Sequence, residues 1–417
     1  MNHVEWKERE RMYACWLCNF PGISNSQMHR LLELCGSPET LYLAGKDKWG
    51  QVLSPKQVGS LVEYTAKWQP ETEYRKMREE GIELVTMADE EYPRRLRNIP
   101  DAPYGLFLRG RLLKDDAPSV ALIGARECSE YGKYVARQLG AALGRRGVTV
   151  ISGMARGIDG MGQEAAMETG GYSIGVLGSG VDVCYPAQNR DIYTKLIKTG
   201  AILSTYPLGT PARPQNFPPR NRIVSGLADA VVVVEARVKS GTLITVDMAL
   251  EQGREVYVVP GRVTDRLSDG CNRLIKQGAG VLLSPESFLE EIWQLWQEGK
   301  RQTSEGAAPR MTAAQEERQK KGKKSALKEE RLESPEPLEP PESPESPICF
   351  GQQSVVEGLE LAKLYKALDF YPRSLEEIRQ NLPGEYSNRQ IVAGLMQLCM
   401  ENLAVQMSPG YFCSKKP

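Results

Sequence analysis

The chain has 417 residues, 53 basic against 53 acidic, with 41% hydrophobic content, nine cysteines and only two histidines. That length accommodates two or three domains with real cores, no apolar run is long enough to cross a bilayer, and zero net charge means that nucleic acid, if bound, meets a local basic patch. His3 and His29 both lie outside the strand-rich region described below, which excludes Ser-His-Asp or Cys-His catalysis and a histidine-rich metal site there.

Residues 1–85 read as a helical domain. Pro21-Gly22-Ile23-Ser24 separates apolar-periodic segments, as in a helix-hairpin-helix element whose backbone N–H groups touch a DNA phosphate. A small helical (SAM-like) interaction module is the plainer reading. Cys15-Trp16-Leu17-Cys18 has the spacing of a buried helix face and no second cysteine pair, so no metal is expected. The scattered cysteines and a start without a basic, then apolar, leader lead us to expect reduced thiols and a cytoplasmic protein.

Residues 86–298 read as the core. Apolar runs at 120–123, 148–151, 173–177, 230–234 and 256–259 are continuous rather than alternating, which predicts strands covered on both faces. Helical segments such as 134–146 and 242–253 separate them. Repeated strand–helix–strand units give an α/β fold with a doubly wound parallel sheet. Ligands of such sheets bind beyond the carboxyl ends of the strands, where this chain collects glycines and hydroxyls.

Gly124-Ala125-Arg126 ends the first run; it reads either as a tight turn with a surface arginine or as a close approach to phosphate with a bidentate grip. It lacks the G-x-G-x-x-G dinucleotide fingerprint. Ser152-Gly153 ends the second run, and Asp159 follows as the expected N-cap of a helix, with a role in orienting a neighbouring loop as the alternative. In Phe217-Pro218-Pro219-Arg220-Asn221-Arg222 the prolines are expected to hold an extended loop, with the ring free to stack or plugging the core. Ser240-Gly241-Thr242 opens a helix where free N–H groups and the dipole favour an anion, and Lys239 adds charge.

Residues 299–350 carry charge blocks and repeated proline and are expected to form a disordered linker, either a solvated tether or one whose lysine run helps to hold DNA. Residues 351–417 pattern as three helices and a hairpin, a winged helix with Ser387-Asn388-Arg389-Gln390 opening its recognition helix.

The core resembles the DNA-processing protein A (DprA/Smf) family. The resemblance rests on Gly124-Ala125-Arg126 with Tyr131-Gly132, Ser152 to Asp159, Val176 to Gly180 with Tyr185-Pro186, and Phe217 to Leu227. It continues through Val234-Glu235-Ala236, Ser240 to Thr245, Gly253 to Val256, Pro260-Gly261 and Gly270 to Ile275. The resemblance implies an extended Rossmann-like fold and a cytoplasmic homodimer without enzymatic turnover or cofactor. Such a protein protects incoming single-stranded DNA and loads RecA recombinase during natural transformation. It places Gly124, Arg126, Arg213, Phe217, Arg220, Asn221 and Arg222 in the strand-binding pocket and assigns backbone or hydroxyl contacts to Ser152, Gly153, Ser240 and Gly241. This chain departs from the family pattern at Gln163, commonly histidine, and Thr205, commonly glutamate. A phosphoribohydrolase-like enzyme is the rival reading; such enzymes carry a glutamate just after the turn that matches Ser240-Gly241-Thr242, where this chain has Leu243, Ile244 and Thr245. A winged-helix regulator with a sensor core is a third.

Overall fold

The computed structural model describes residues 3–112, 116–304 and, with short gaps, 355–414. Contacts divide the chain into two units, Met1–Gly322 and Lys323–Pro417.

The larger unit begins with five helices: α1 (His3–Asn19), α2 (Asn25–Cys35), α3 (Pro38–Trp49), α4 (Pro55–Lys67) and α5 (Pro70–Glu79). The starts of α2 and α4 are written in sequence as capping boxes, Ser24 with Gln27 and Ser54 with Gln57. Gln57 also donates through Nε2 to the Gly22 carbonyl at 2.9 Å, tying the two starts together. Trp16, Leu31, Leu41 and Leu61 are fully buried among these helices. Cys15 and Cys18 are buried on the same face, as their spacing predicted, and burial pushes the Cys15 thiol up to about 12.

The next strands are β1 (Ile82–Thr86), β2 (Gly105–Gly110), β3 (Ser119–Ile123), β4 (Thr149–Ser152) and β5 (Ser173–Val176). They are completed by β6 (Ala201–Ser204), β7 (Ala230–Val233), β8 (Glu255–Val258) and β9 (Gly280–Val281) in one nine-stranded sheet ordered β1-β2-β6-β5-β4-β3-β7-β8-β9. From β6 to β9 neighbours pair parallel, while β2 runs antiparallel to both β1 and β6. The doubly wound sheet is therefore present, with an antiparallel strand near one edge. The helices between strands include α6 (Arg94–Arg97), α7 (Glu130–Arg145), α8 (Ile158–Glu168), α9 (Arg190–Thr199), α10 (Phe217–Leu227), α11 (Gly241–Glu251) and α12 (Asp269–Lys276).

Alternation of side chains explains the unbroken apolar runs. Ala121, Ile123, Val231 and Val233 enter one cluster with Ile223 and Val224 of α10 and Val246 of α11. Val120, Leu122, Ala230 and Val232 enter the opposite cluster with Leu139 and Leu143 of α7. Both faces are dry, and a polar side chain buried there, such as Ser152 or Ser173, donates to a backbone carbonyl. A third cluster joins the N-terminal helices to the sheet: Trp16 and Leu17 belong with Phe107 of β2, Ile192 of α9 and Ile202 of β6. The division near residue 85 is thus not a gap in packing, and β1 itself lies within the segment expected to be helical.

The last helix of this unit, α13 (Pro285–Ser304), runs through Gly299, where the linker was expected to start; the rest of that expectation lies outside the described residues. In the smaller unit, helices Leu361–Ala367, Leu375–Gln380 and Asn388–Met400 pack around Leu364, Ile378, Ile391 and Leu395. Strands Arg373–Ser374, Tyr411–Ser414 and Ala404–Ser408 form a small antiparallel sheet in that order. Ser387 caps the third helix in a capping box with Gln390. Among the described residues, no helix is long and apolar enough to cross a membrane.

Candidate nucleic-acid interface

The chain leaves β3 for β4 on one side and later returns to place β7 on the other, so β3 marks the point where strand order reverses. Loops leaving β3, β4 and β7 diverge there and open a crevice. It is a cleft of about 700 Å³ lined by Gly124, Arg126, Gly153, Phe217, Lys239, Ser240 and Gly241, among others. Turns far apart in sequence thus converge on one carboxyl edge.

Three cations approach this cleft with their side chains in solvent: Arg126, Arg237 and Lys239. Arg126 extends over the Phe217 ring, its Cζ 5.3 Å from the centroid. Opposite, α11 starts at the cleft. Ser240 is its N-cap and accepts from the Thr242 N–H at 3.2 Å, so its hydroxyl is committed to the helix while the Gly241 backbone stays exposed. Thr242 Oγ1 donates to the Gly124 carbonyl at 3.2 Å and locks the β3 turn against the helix start. Gly124 is obligatory for that packing, because a Cβ there would lie 2.7 Å from Ile158.

The floor differs from expectation. Phe217 does not sit in an extended loop; it is the first residue of α10, with Pro218 and Pro219 in the opening turn, where a missing N–H costs nothing. Helical spacing then sends Arg220 and Arg222 to different places. Arg220 is 5% exposed and donates through Nη1 to the carbonyls of Gly153, at 2.6 Å, and Val176. Burial lowers its guanidinium to about 10, still charged at any working pH, with Asp159 opposing the shift. Arg222 turns away, pairs with Asp101 at 2.6 Å and does not line the cleft. Asn221 remains at the rim, its Oδ1 accepting from Arg220 Nε at 3.2 Å.

Ser152 and Asp159 are likewise structural. Ser152 is fully buried and donates to the Leu122 carbonyl at 2.6 Å, so its hydroxyl is unavailable to a ligand. Asp159 is not the N-cap of α8, a place taken by Gly157. Its carboxylate accepts from the Gly153 N–H at 3.1 Å, which is the loop-orienting alternative, and desolvation raises its pKa. Gly153 is pinched between the two: a Cβ would lie 2.7 Å from Arg220 Nη1. Arg213 is exposed beside the cleft, between its lining residues Ala212 and Pro214, but does not line it. Of the two departures, Gln163 is buried and donates to Ser173 Oγ and the Ile174 carbonyl at 3.1 and 3.0 Å, stapling α8 to β5. Thr205 follows β6, half-buried.

Residues 83–293, from β1 to α13, match the family model described as DNA recombination-mediator protein A. The chain belongs to this family. The family segment is 42% identical over 210 residues to Protein Smf of Escherichia coli, covering 50% of this chain and 56% of that protein. It is 39% identical over 216 residues to DNA processing protein DprA of Bacillus subtilis, covering 52% and 73%. The X-ray structure of DprA from Streptococcus pneumoniae superposes with a TM-score of 0.59 at 32% identity, over 67% of this chain and 97% of that one.

Two residues of this recombination-mediator core belong to the cleft without having been singled out from sequence. Arg237 lies three positions before the Ser240 turn and nothing but its charge marks it. Tyr185 is 44% exposed and stacks on Phe217, with centroids 5.8 Å apart and planes 29° from parallel. Its signal was the Tyr185-Pro186 pair inside a family segment, which names a position without naming a role.

Proposed function

We propose that this recombination mediator binds single-stranded DNA in the cleft at the β3 switch point, without turning it over, and delivers it to RecA recombinase during natural transformation as a homodimer in the cytoplasm. The observation that carries this reading is the pairing of solvent-facing Arg126, Arg237 and Lys239 with the Phe217–Tyr185 stack in one open cleft. Cations track a phosphate backbone and aromatic faces take any base, the combination that suits single strands without sequence preference. A duplex keeps its bases stacked on one another and offers no free face to the rings.

The carboxylates at the strand ends support binding over catalysis. Asp159 holds Gly153, and Glu235, 1% exposed, accepts from the Ser129 N–H at 2.9 Å. Asp159 reaches the cleft wall, but its carboxylate is committed to the Gly153 N–H and faces the Arg220 guanidinium, while Glu235 does not line the cleft. In our reading residues 1–85 and 86–298 act together as the DNA-handling body, 299–350 tether it, and 351–417 form a winged helix that adds avidity for DNA or a partner.

The test is binding of single-stranded and duplex oligonucleotides of one sequence across salt concentrations. Preference for the single strand, with affinity falling as salt rises, is expected. Equal affinity for the duplex at every salt concentration overturns the reading.

A further inference from the structure

Phe217 is the aromatic that the sequence offered for stacking, yet its faces are occupied. Arg126 Cζ lies 5.3 Å and Arg220 Cζ 5.7 Å from its centroid. The backbone of Gly178 presses on its edge, since a Cβ at Gly178 would be 2.9 Å from Phe217 Cδ1. Tyr185 covers it from the solvent side, tilted 29° from parallel. Phe217 keeps only part of its surface open to the cleft, so a base covers its ring fully only if one of these neighbours leaves. Arg220 is held by two carbonyls, Gly178 is backbone, and the two movable groups are the exposed Arg126 and Tyr185.

Tyr185 also divides two spaces. It lines the main cleft and, with Arg156, Pro186 and Ser179, a side chamber of about 40 Å³. That chamber has room for a few waters and no base. The solvent face of Tyr185 is therefore the aromatic surface that a strand in the cleft first meets. Arg156 is exposed beside it, placing a cation one reach from the ring. An exposed aromatic next to an unpaired phosphate partner is the unit from which single-strand platforms are built.

We propose that Tyr185 is the base-stacking residue of this site, with Phe217 behind it as the supporting ring and Arg156 as the cation for the adjoining phosphate. The ligand is an unpaired nucleotide of any sequence. This inference rests on the single-strand reading above. The stack makes Arg126 free to hold phosphate from its seat over Phe217, so one ring layer orders both the base contact and the charge.

The experiment uses the full chain and oligonucleotides carrying 5-iodouracil or 2-aminopurine at single positions. In wild type, near-ultraviolet irradiation is expected to crosslink the iodouracil to Tyr185, located by peptide mass. Tyr185→Ala is expected to weaken single-strand binding on the order of tenfold and to remove the quenching of 2-aminopurine, while Tyr185→Phe and Tyr185→Trp keep both. Phe217→Ala is expected to weaken binding with the crosslink shifting off position 185, because the support is lost. Arg156→Ala should lower the salt slope by about 0.7. A wild-type crosslink confined to Phe217, or Tyr185→Ala binding and quenching like wild type, overturns the proposal and leaves the single-strand reading intact. A wild type that does not prefer single strands at all removes the reading itself. Tyr185 is partly exposed at the cleft, so its alanine variant is expected to fold, and the wild-type crosslink decides the matter even where it does not.

Discussion

Arg220→Ala separates a buried organiser from a direct phosphate ligand. In the structure Arg220 supplies charged donors to the Gly153 and Val176 carbonyls and faces Asp159, 7% exposed. A hydrogen bond from a charged donor contributes about 1.5–3 kcal/mol, so the two hold about 3–6 kcal/mol, and the attraction of Asp159 adds to them. Working the other way, burial itself opposes the guanidinium: the fall from 12.5 to about 10 corresponds to roughly 3 kcal/mol that alanine relieves. The two lost bonds and the lost attraction to Asp159 together outweigh that relief, leaving a net loss of about 3 kcal/mol. For a unit of this size such a loss lowers Tm by about 4–5 °C. All six tryptophans precede residue 297, so their fluorescence reports on the larger unit alone. Thermal unfolding of the full chain followed this way is the assay. An Arg220→Ala variant that melts within 2 °C of wild type (~2 °C) yet no longer binds single strands would refute the reasoning and return Arg220 to the ligand shell.

The other outcomes divide the cleft from its surroundings. Arg126→Ala is expected to weaken binding to any single-stranded sequence and to reduce the salt slope by about 0.7, read from affinity against salt; an unchanged slope in a folded variant removes Arg126 from the phosphate path. Arg222→Ala, which loses a half-exposed pair with Asp101, is expected to leave single-strand affinity unchanged and stability within about 1 kcal/mol; a large loss of affinity would show that α10 presents both arginines. The folded Asp159 carboxyl is raised above its unfolded value, so its contribution to stability is full below about 3.8 and is lost as pH rises through the folded value. The stability of wild type relative to Asp159→Asn should therefore decline from pH 4 upward and then level off, and a pH-independent difference in Tm contradicts the assignment. A chain ending at Gly322 is expected to keep most single-strand binding, because the cleft lies wholly in the larger unit; loss of binding with the fold retained would move the main site to the C-terminal residues.

Much of this architecture is legible in sequence because both faces of the parallel strands are dry. Val120 to Ile123 and Ala230 to Val234 need no alternation to be strands, and their ends mark the ligand edge. The strand Ala201–Ser204 is harder to see: it has four residues and runs directly into Thr205-Tyr206-Pro207. β1 is masked differently, since it lies at the end of the segment read as helical and pairs with β2 across the intervening segment. At the site, residue types announced the chemistry but not the direction of each side chain. Two prolines read as extended chain became the first turn of α10, and that turn decides which arginine is buried. Burial of Arg220 and Ser152 depends on carbonyls from β4 and β5 and from Leu122 that come near only when the sheet forms, and no local pattern encodes them.

The cluster that joins Trp16 and Leu17 to Phe107, Ile192 and Ile202 sets an order of events during synthesis. The N-terminal helices leave the ribosome first, but the surface that completes their core is made last, with Ile202. At about 5–20 residues per second that partner arrives roughly 10–40 s later. In that interval the nascent helices expose the apolar face that Trp16 and Leu17 will bury, and they must stay unpaired with other chains until β6 is in place. A holdase that shields this stretch would raise the yield of folded protein without touching the DNA cleft.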